Sequence, residues 1–106
     1  MVKFDYPETI EQAVEKLTGH LSLSDRVFFA NLGENDFSMV HSLLAPIVRD
    51  ELGLPSENRP LIEACRQRTG NPHLPPEEAF SFLILLFWET LRKTHALRIV
   101  RPGTER

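Results

Sequence analysis

His41 is the titratable side chain whose setting in the sequence most favours chemistry. On a helical wheel it falls beside Leu52 at the edge of an apolar face, and Pro46 and Arg49 follow it in the same predicted helix. An imidazole at this position serves either as a core residue, bonded to a carbonyl or carboxylate, or as a general base or ligand. The second role needs an activated nucleophile or a second ligand, and no spacing in the sequence supplies one. We predict a structural His41, and the rival is a small-molecule or catalytic site around His41 and Arg49 at a kink at Pro46.

Two further groups contain residue types found in reactive or metal-binding sites. Cys65 is predicted to be a small buried hydrophobe, because a reactive thiolate needs an electropositive setting and its neighbouring arginines should point away. His73 with Glu77 and Glu78 offers too few ligands for a metal site without a further His or Cys. The sequence has no P-loop, GxGxxG, GxSxG or HExxH motif. We therefore predict no catalytic, cofactor-binding or metal-binding residue, and no cofactor.

The second and third predicted helices have the outline of a helix-turn-helix, in which the second member would read DNA. That member carries Asp36, Asp50 and Glu51 against Arg49 alone. Phosphate contact needs the opposite charge. The whole chain has a net charge of −3, so nucleic acid is the least expected partner.

The length of 106 residues predicts a single helical domain, residues 1–106. One cysteine excludes a disulfide within the chain, and the first residues lack the apolar core of a signal peptide, so we expect a cytoplasmic protein. Residues 1–58 carry four Lys and Arg against ten Asp and Glu, and residues 59–106 carry eight against five. The basic C-terminal tail, residues 96–106, is expected to lie against the acidic half or a partner chain.

The strongest structural signal is the run FSFLILLFW, Phe80 to Trp88, in which eight of nine residues are large and apolar. Proline and acidic residues precede the run and basic residues follow it, an order typical of a helix from Pro76 to His95. A run of this length is too short to cross a bilayer, which needs about 20 residues. The run therefore predicts a buried central helix, and no membrane as a partner.

Three shorter helices are predicted from their caps and amphipathic spacing. Thr9 caps the first helix, and Ser22 caps the second, which spans Leu23 to Asn31. The fourth helix follows Asn58 and ends before Gly70. The side chains expected to be buried on these helices are Leu17, Leu23, Val27, Phe28 or Phe29, Leu61, Ile62 and Cys65.

The third helix is predicted to begin at Glu34 or Asn35 and to run to Leu52. Its apolar face is widened by Met39 and Leu43. Pro46 lies in its interior, lacks an N–H and pushes on the carbonyl of Ser42, so a kink or a break is expected there. Together the helices predict an all-α fold, a compact irregular or orthogonal bundle of about five helices around a buried C-terminal central helix.

Several segments resemble, in order, a family of small, mostly bacterial, all-helical domains of unknown function. These segments are PETIEQAV, LSLSD, DFSMVHSLL, IVRDELGL, LIEAC and His73 followed by PPEEA, closing at Trp88. The most telling matches are His41, Arg49, Gly53, Leu54 and Trp88. The chain departs from the family at Pro46 and in its Pro75–Pro76 pair. The resemblance covers nearly all of residues 7–91, and it implies a helical fold and no activity.

The wheel of the central helix places Phe82 and Leu85 inside an otherwise polar arc that includes Glu89. Either helix one or the tail covers these two side chains, or they form an apolar patch rimmed by charge, which is the composition of an interface. A two-fold dimer buries such a patch with one surface. We therefore predict a non-catalytic cytoplasmic domain that acts through protein–protein association, with another protein or with itself as a homodimer.

Overall fold

The computed structural model describes residues 6–95, which form five α-helices and one short 3₁₀ helix. The described residues contain no strand, so the predicted all-α bundle is confirmed. The tail, residues 96–106, lies outside the described residues. The helices are α1 (Ile10–His20), α2 (Leu23–Ala30), α3 (Phe37–Leu52), α4 (Arg59–Thr69) and α5 (Pro76–His95), and the 3₁₀ helix Glu34–Asp36 precedes α3.

The central position of α5 is confirmed, because each of the other four helices packs against it. Leu17, Leu44, Leu83 and Phe87 are each at most 1% exposed. Buried side chains from all five helices form one continuous apolar cluster. Among residues 6–95, no helix has the length and hydropathy that a bilayer span requires. The buried row of α5 consists of Ala79, Phe80, Leu83, Ile84, Phe87, Trp88 and Leu91.

Side-chain caps begin the first two helices where the sequence predicts them. Thr9 Oγ1 accepts a 3.1 Å hydrogen bond from the N–H of Gln12. Ser22 Oγ accepts one of the same length from the N–H of Asp25. Each bond satisfies a backbone donor that the first turn leaves without a helical partner. α2 ends at Ala30, one residue before the predicted end.

Asn58 is a buried polar side chain, only 3% exposed, at the start of α4. Its Oδ1 accepts a 3.2 Å hydrogen bond from the N–H of Leu61, which is the predicted cap. Its Nδ2 also donates to the carbonyl oxygens of Pro7 and Leu52, each at 2.7 Å. One amide therefore joins the segment before α1, the end of α3 and the start of α4.

Gly53 ends α3 in a left-handed conformation, with φ of 72°. A Cβ at this position would come within 2.5 Å of the Tyr6 ring. The hydroxyl of Tyr6 donates a 3.2 Å hydrogen bond to the carboxylate of Glu57. Glycine is therefore needed here both for its backbone angle and for the close approach of the ring.

Three apolar side chains predicted to be buried lie at the surface instead. Leu23 is 64% exposed, Met39 is 42% exposed and Leu43 is 47% exposed. The prediction for Phe28 or Phe29 holds, because Phe29 is buried and Phe28 is 49% exposed. On α2 and α3 the apolar side chains cover a wider part of the helix surface than the part that contacts the other helices. The apolar side chains outside the contact are therefore exposed to solvent.

α3 continues through Pro46 as one helix, so of the predicted kink or break, the break is wrong. Pro46 and Ser42 are both exposed. Water can therefore bond the Ser42 carbonyl, which has no N–H partner at Pro46. The outer side of a helix tolerates this loss more easily than its buried side.

Candidate functional site

His41 is half-buried in the seam between α3 and α5. Its Nε2 lies 3.1 Å from Ser81 Oγ. The centroid of its ring lies 5.9 Å from that of Phe37 and 5.8 Å from that of Phe80, both in edge-to-face geometry. The predicted partner was a carbonyl or carboxylate, whereas the structure places a hydroxyl there. Sequence reasoning missed Ser81 because it lies on another helix, and only the packing of α3 against α5 brings the two together.

Arg49 does not meet His41 directly. Its guanidinium carbon lies 5.5 Å from the centroid of the Phe80 ring. The same ring contacts His41, so Phe80 lies between the two residues of the rival site. Arg49 is exposed and Phe80 is buried, a cation–π arrangement that holds the guanidinium at the surface.

The contact between His41 and Ser81 has the residue types of a base and a nucleophile. Such a pair also needs a third group that orients the base. Within residues 6–95, no carboxylate forms an ion pair with His41. The arrangement therefore supports a structural hydrogen bond more strongly than acyl-transfer chemistry.

The larger clefts lie away from His41. One of about 520 Å³ separates the N-terminal ends of α4 and α5, and its Arg66 is already bonded to Glu63 at 2.7 Å and to the carbonyl oxygen of Leu74 at 2.9 Å. Another, of about 480 Å³, lies beside Arg49. Neither cleft has His41 in its lining, so His41 and Arg49 do not converge on one of these cavities.

Cys65 is fully buried on α4, as predicted. Burial raises the pKa of its thiol to about 11, and the nearby positive charge of Arg68 lowers the pKa by a smaller amount. His73 is exposed, and its backbone N–H donates to Asn71 Oδ1 at 3.0 Å. Across the described part of the chain, no three His, Cys, Asp or Glu side chains are grouped to hold a metal ion.

The outer face of α5, defined here as Glu78, Phe82, Leu85, Glu89 and Arg92, contains all three predicted interface residues. Successive members are four, three, four and three residues apart, so they lie along one line of the helix. Leu85 is 37% exposed, and Phe82 is half-buried against the core. Glu78 and Glu89 are exposed and Arg92 is half-buried. The face is apolar at its centre and charged at both ends.

The surroundings extend this face on two sides. Ser81, the partner of His41, precedes Leu85 by one turn. Leu86, one turn after Phe82, lines a groove of about 440 Å³ between α1 and α5. The guanidinium carbon of Arg92 lies 5.1 Å from the centroid of the Trp88 ring, so this arginine is held in place beside the face.

No family model, curated protein or solved structure matches this chain. The resemblance to a family of helical domains therefore stays a prediction.

Proposed function

We propose that this domain acts in the cytoplasm by protein–protein association, and that the outer face of α5 is its contact surface. The observation that carries the proposal is the exposure of Leu85, 37%, on the helix around which the core is built. The buried row of α5 is fully covered by the other helices, whereas the row through Leu85 is not. An apolar centre with a charged rim is the usual anatomy of such an interface.

Burial of Leu85 alone does not provide enough free energy for a stable interface. Burial of a fully exposed leucine contributes about 1.5–3 kcal/mol, and Leu85 has about a third of its surface to lose. A stable interface covers roughly 800 Å² on each partner. Phe82, Leu86 and the aliphatic part of Arg92 lie beside Leu85 and supply the further apolar area.

The exposed apolar residues of the other helices form a weaker case. Met39 and Leu43 are one turn apart on the outer side of α3, with exposed Ser42 and Pro46 beside them. The row through this pair continues at the same spacing to Asp36 and Asp50, both acidic, so it lacks the opposite charges that end the α5 row. Leu43 is therefore used as the control position for Leu85, because both are exposed leucines on a helix.

A second candidate function is a small-molecule or catalytic site at His41. The 3.1 Å contact between His41 Nε2 and Ser81 Oγ favours it. The candidate is weaker because Phe80 separates His41 from Arg49 and because the larger clefts are lined by other residues. A nucleic-acid role is weaker still, since Asp50 and Glu51 lie on the helix that would have to approach phosphate.

The test of the proposed function is capture from native lysate with tagged wild type, Leu85→Asp and the matched control Leu43→Asp. A protein that is retained by wild type and by Leu43→Asp but lost by Leu85→Asp supports the proposal, provided that calorimetry confirms it. In calorimetry the purified partner should bind Leu85→Asp more weakly than it binds wild type and Leu43→Asp. Identical capture by all three proteins, or loss in Leu43→Asp alone, contradicts it. Urea unfolding of each variant confirms that the surface changes leave the domain folded.

A further inference from the structure

We infer that the partner at the outer face of α5 is a second copy of this chain, bound antiparallel about a two-fold axis at Leu85. This inference rests on the proposed function and names its partner. Glu78, Leu85 and Arg92 are spaced by seven residues, two helical turns, so all three lie on one side of α5. Leu85 is the midpoint between an acidic and a basic residue.

An antiparallel two-fold arrangement about Leu85 makes this row complementary to itself. A residue of this row that precedes Leu85 by seven positions meets the residue of the second copy that follows Leu85 by seven. Glu78 then lies opposite Arg92 of the second copy. Because the axis repeats this relationship, two oppositely charged pairs flank two leucines in contact.

Other arrangements lack this complementarity. A parallel pair places Glu78 against Glu78 and Arg92 against Arg92, where like charges repel. A slide of one helix by seven residues places Leu85 against either Glu78 or Arg92. Charge at both ends of the row therefore selects both direction and register, which is how polar residues specify paired helices.

Acidic first turns and basic last turns also stabilise single helices through the helix dipole. Two details go beyond that common pattern. An exposed leucine lies halfway between the charges. Arg92 is held over Trp88, so less side-chain freedom is lost when it pairs.

The test is a charge-reversal cycle in the full chain, read as molar mass by light scattering across a concentration series. We expect wild type to be a dimer, and Glu78→Arg and Arg92→Glu to weaken it by about tenfold each, since each change turns two attractions into repulsions. The double variant Glu78→Arg with Arg92→Glu should recover most of the wild-type affinity. A double variant no better than the single ones overturns the inference, and urea unfolding of all four proteins checks that each is folded.

The failure of this inference is distinguishable from that of the proposed function. If wild type stays monomeric at high micromolar concentration and still captures a partner that depends on Leu85, the result contradicts a second copy as the partner. That result leaves the proposed function supported. A wild-type dimer whose mass is unchanged in Leu85→Asp places the contact elsewhere and overturns the inference. Capture that is also independent of Leu85 overturns the proposed function as well.

Discussion

The indole Nε1 of Trp88 donates a 2.8 Å hydrogen bond to the backbone carbonyl oxygen of Phe29. Trp88 is 2% exposed, so the bond is sheltered from water. The same carbonyl accepts the N–H of Leu32 at 3.2 Å as α2 ends. One oxygen therefore terminates α2 and ties it to α5, the helix that carries the proposed interface.

Trp88→Phe should lower the free energy of unfolding by about 2–4 kcal/mol, because a buried hydrogen bond and part of a large buried side chain are lost. Urea unfolding followed by circular dichroism measures the change. Phe28→Leu is the control, since Phe28 is 49% exposed and its loss should cost no more than about 0.5 kcal/mol. Equal costs at the two positions would contradict the role given to the Trp88 bond.

Leu83→Ala and Leu85→Ala test which side of α5 faces the core. Leu83 is 0% exposed and its truncation should cost about 2–5 kcal/mol. Leu85→Ala, the same change two residues further along, should cost below about 1 kcal/mol at concentrations where the protein is monomeric. Denaturant midpoints of the two variants give the comparison. A loss at Leu83 below about 1 kcal/mol would show that the assigned face of α5 is wrong.

Asn58→Asp should destabilise the domain by about 3–5 kcal/mol at neutral pH. The change removes the two Nδ2 donors and sets a carboxylate against the carbonyl oxygens of Pro7 and Leu52. Asn71→Asp is the matched control, because Asn71 is exposed and, among residues 6–95, its side chain bonds through Oδ1, which accepts the N–H of His73. Thermal and urea unfolding should leave the control within about 0.5 kcal/mol of wild type.

His41→Gln should mainly lower stability and leave association unchanged, because His41 makes its contacts within the seam between α3 and α5. A double-mutant cycle of His41→Ala and Ser81→Ala measures the coupling of the pair. We expect about 0.5–1.5 kcal/mol, the net contribution of one hydrogen bond. Additive losses would show that the 3.1 Å contact contributes nothing to stability.

Burial of Cys65 predicts a loss of stability at alkaline pH. Its thiol pKa is raised from an ordinary 9.0 to about 11, so the folded state favours the neutral thiol. The unfolded thiol ionises first, and the stability due to the neutral thiol is therefore fully present below pH 9.0 and is lost as the pH rises through about 11. Urea unfolding between these values should show a smaller decrease for Cys65→Ala than for wild type. The same slope in both proteins would be evidence against this account.

The bounds of α5 could be predicted from sequence because proline, acids and bases mark its ends, and Pro76 and His95 are where the structure places them. The exposure of Met39 and Leu43 could not be predicted, because a wheel shows which residues share a face but not how wide the neighbouring helix is. Asn58 was predicted as a cap from its position before α4. Its bond to Pro7 could not be predicted, since it joins residues 51 positions apart.

Similar reasons apply to the candidate site. Phe82, Leu85 and Glu89 were predicted as one surface because they lie on a single helix, where spacing alone determines the face. The partner of His41 was predicted as the wrong chemical group, because Ser81 reaches it only through packing between helices. Which residues share a face of one helix could be predicted from their spacing in the sequence, whereas contacts between side chains of different helices required the structure.

The central position of α5 also bears on how this protein is made. α5 is the last described helix, so a nascent chain that has reached Pro75 carries α1 to α4 with their apolar faces open. Leu17 and Leu44, for example, would have no central helix to enclose them. We therefore expect the domain to fold only after α5 has left the ribosome, and the preceding stage of synthesis to be the one at which chaperones that hold unfolded chains engage it.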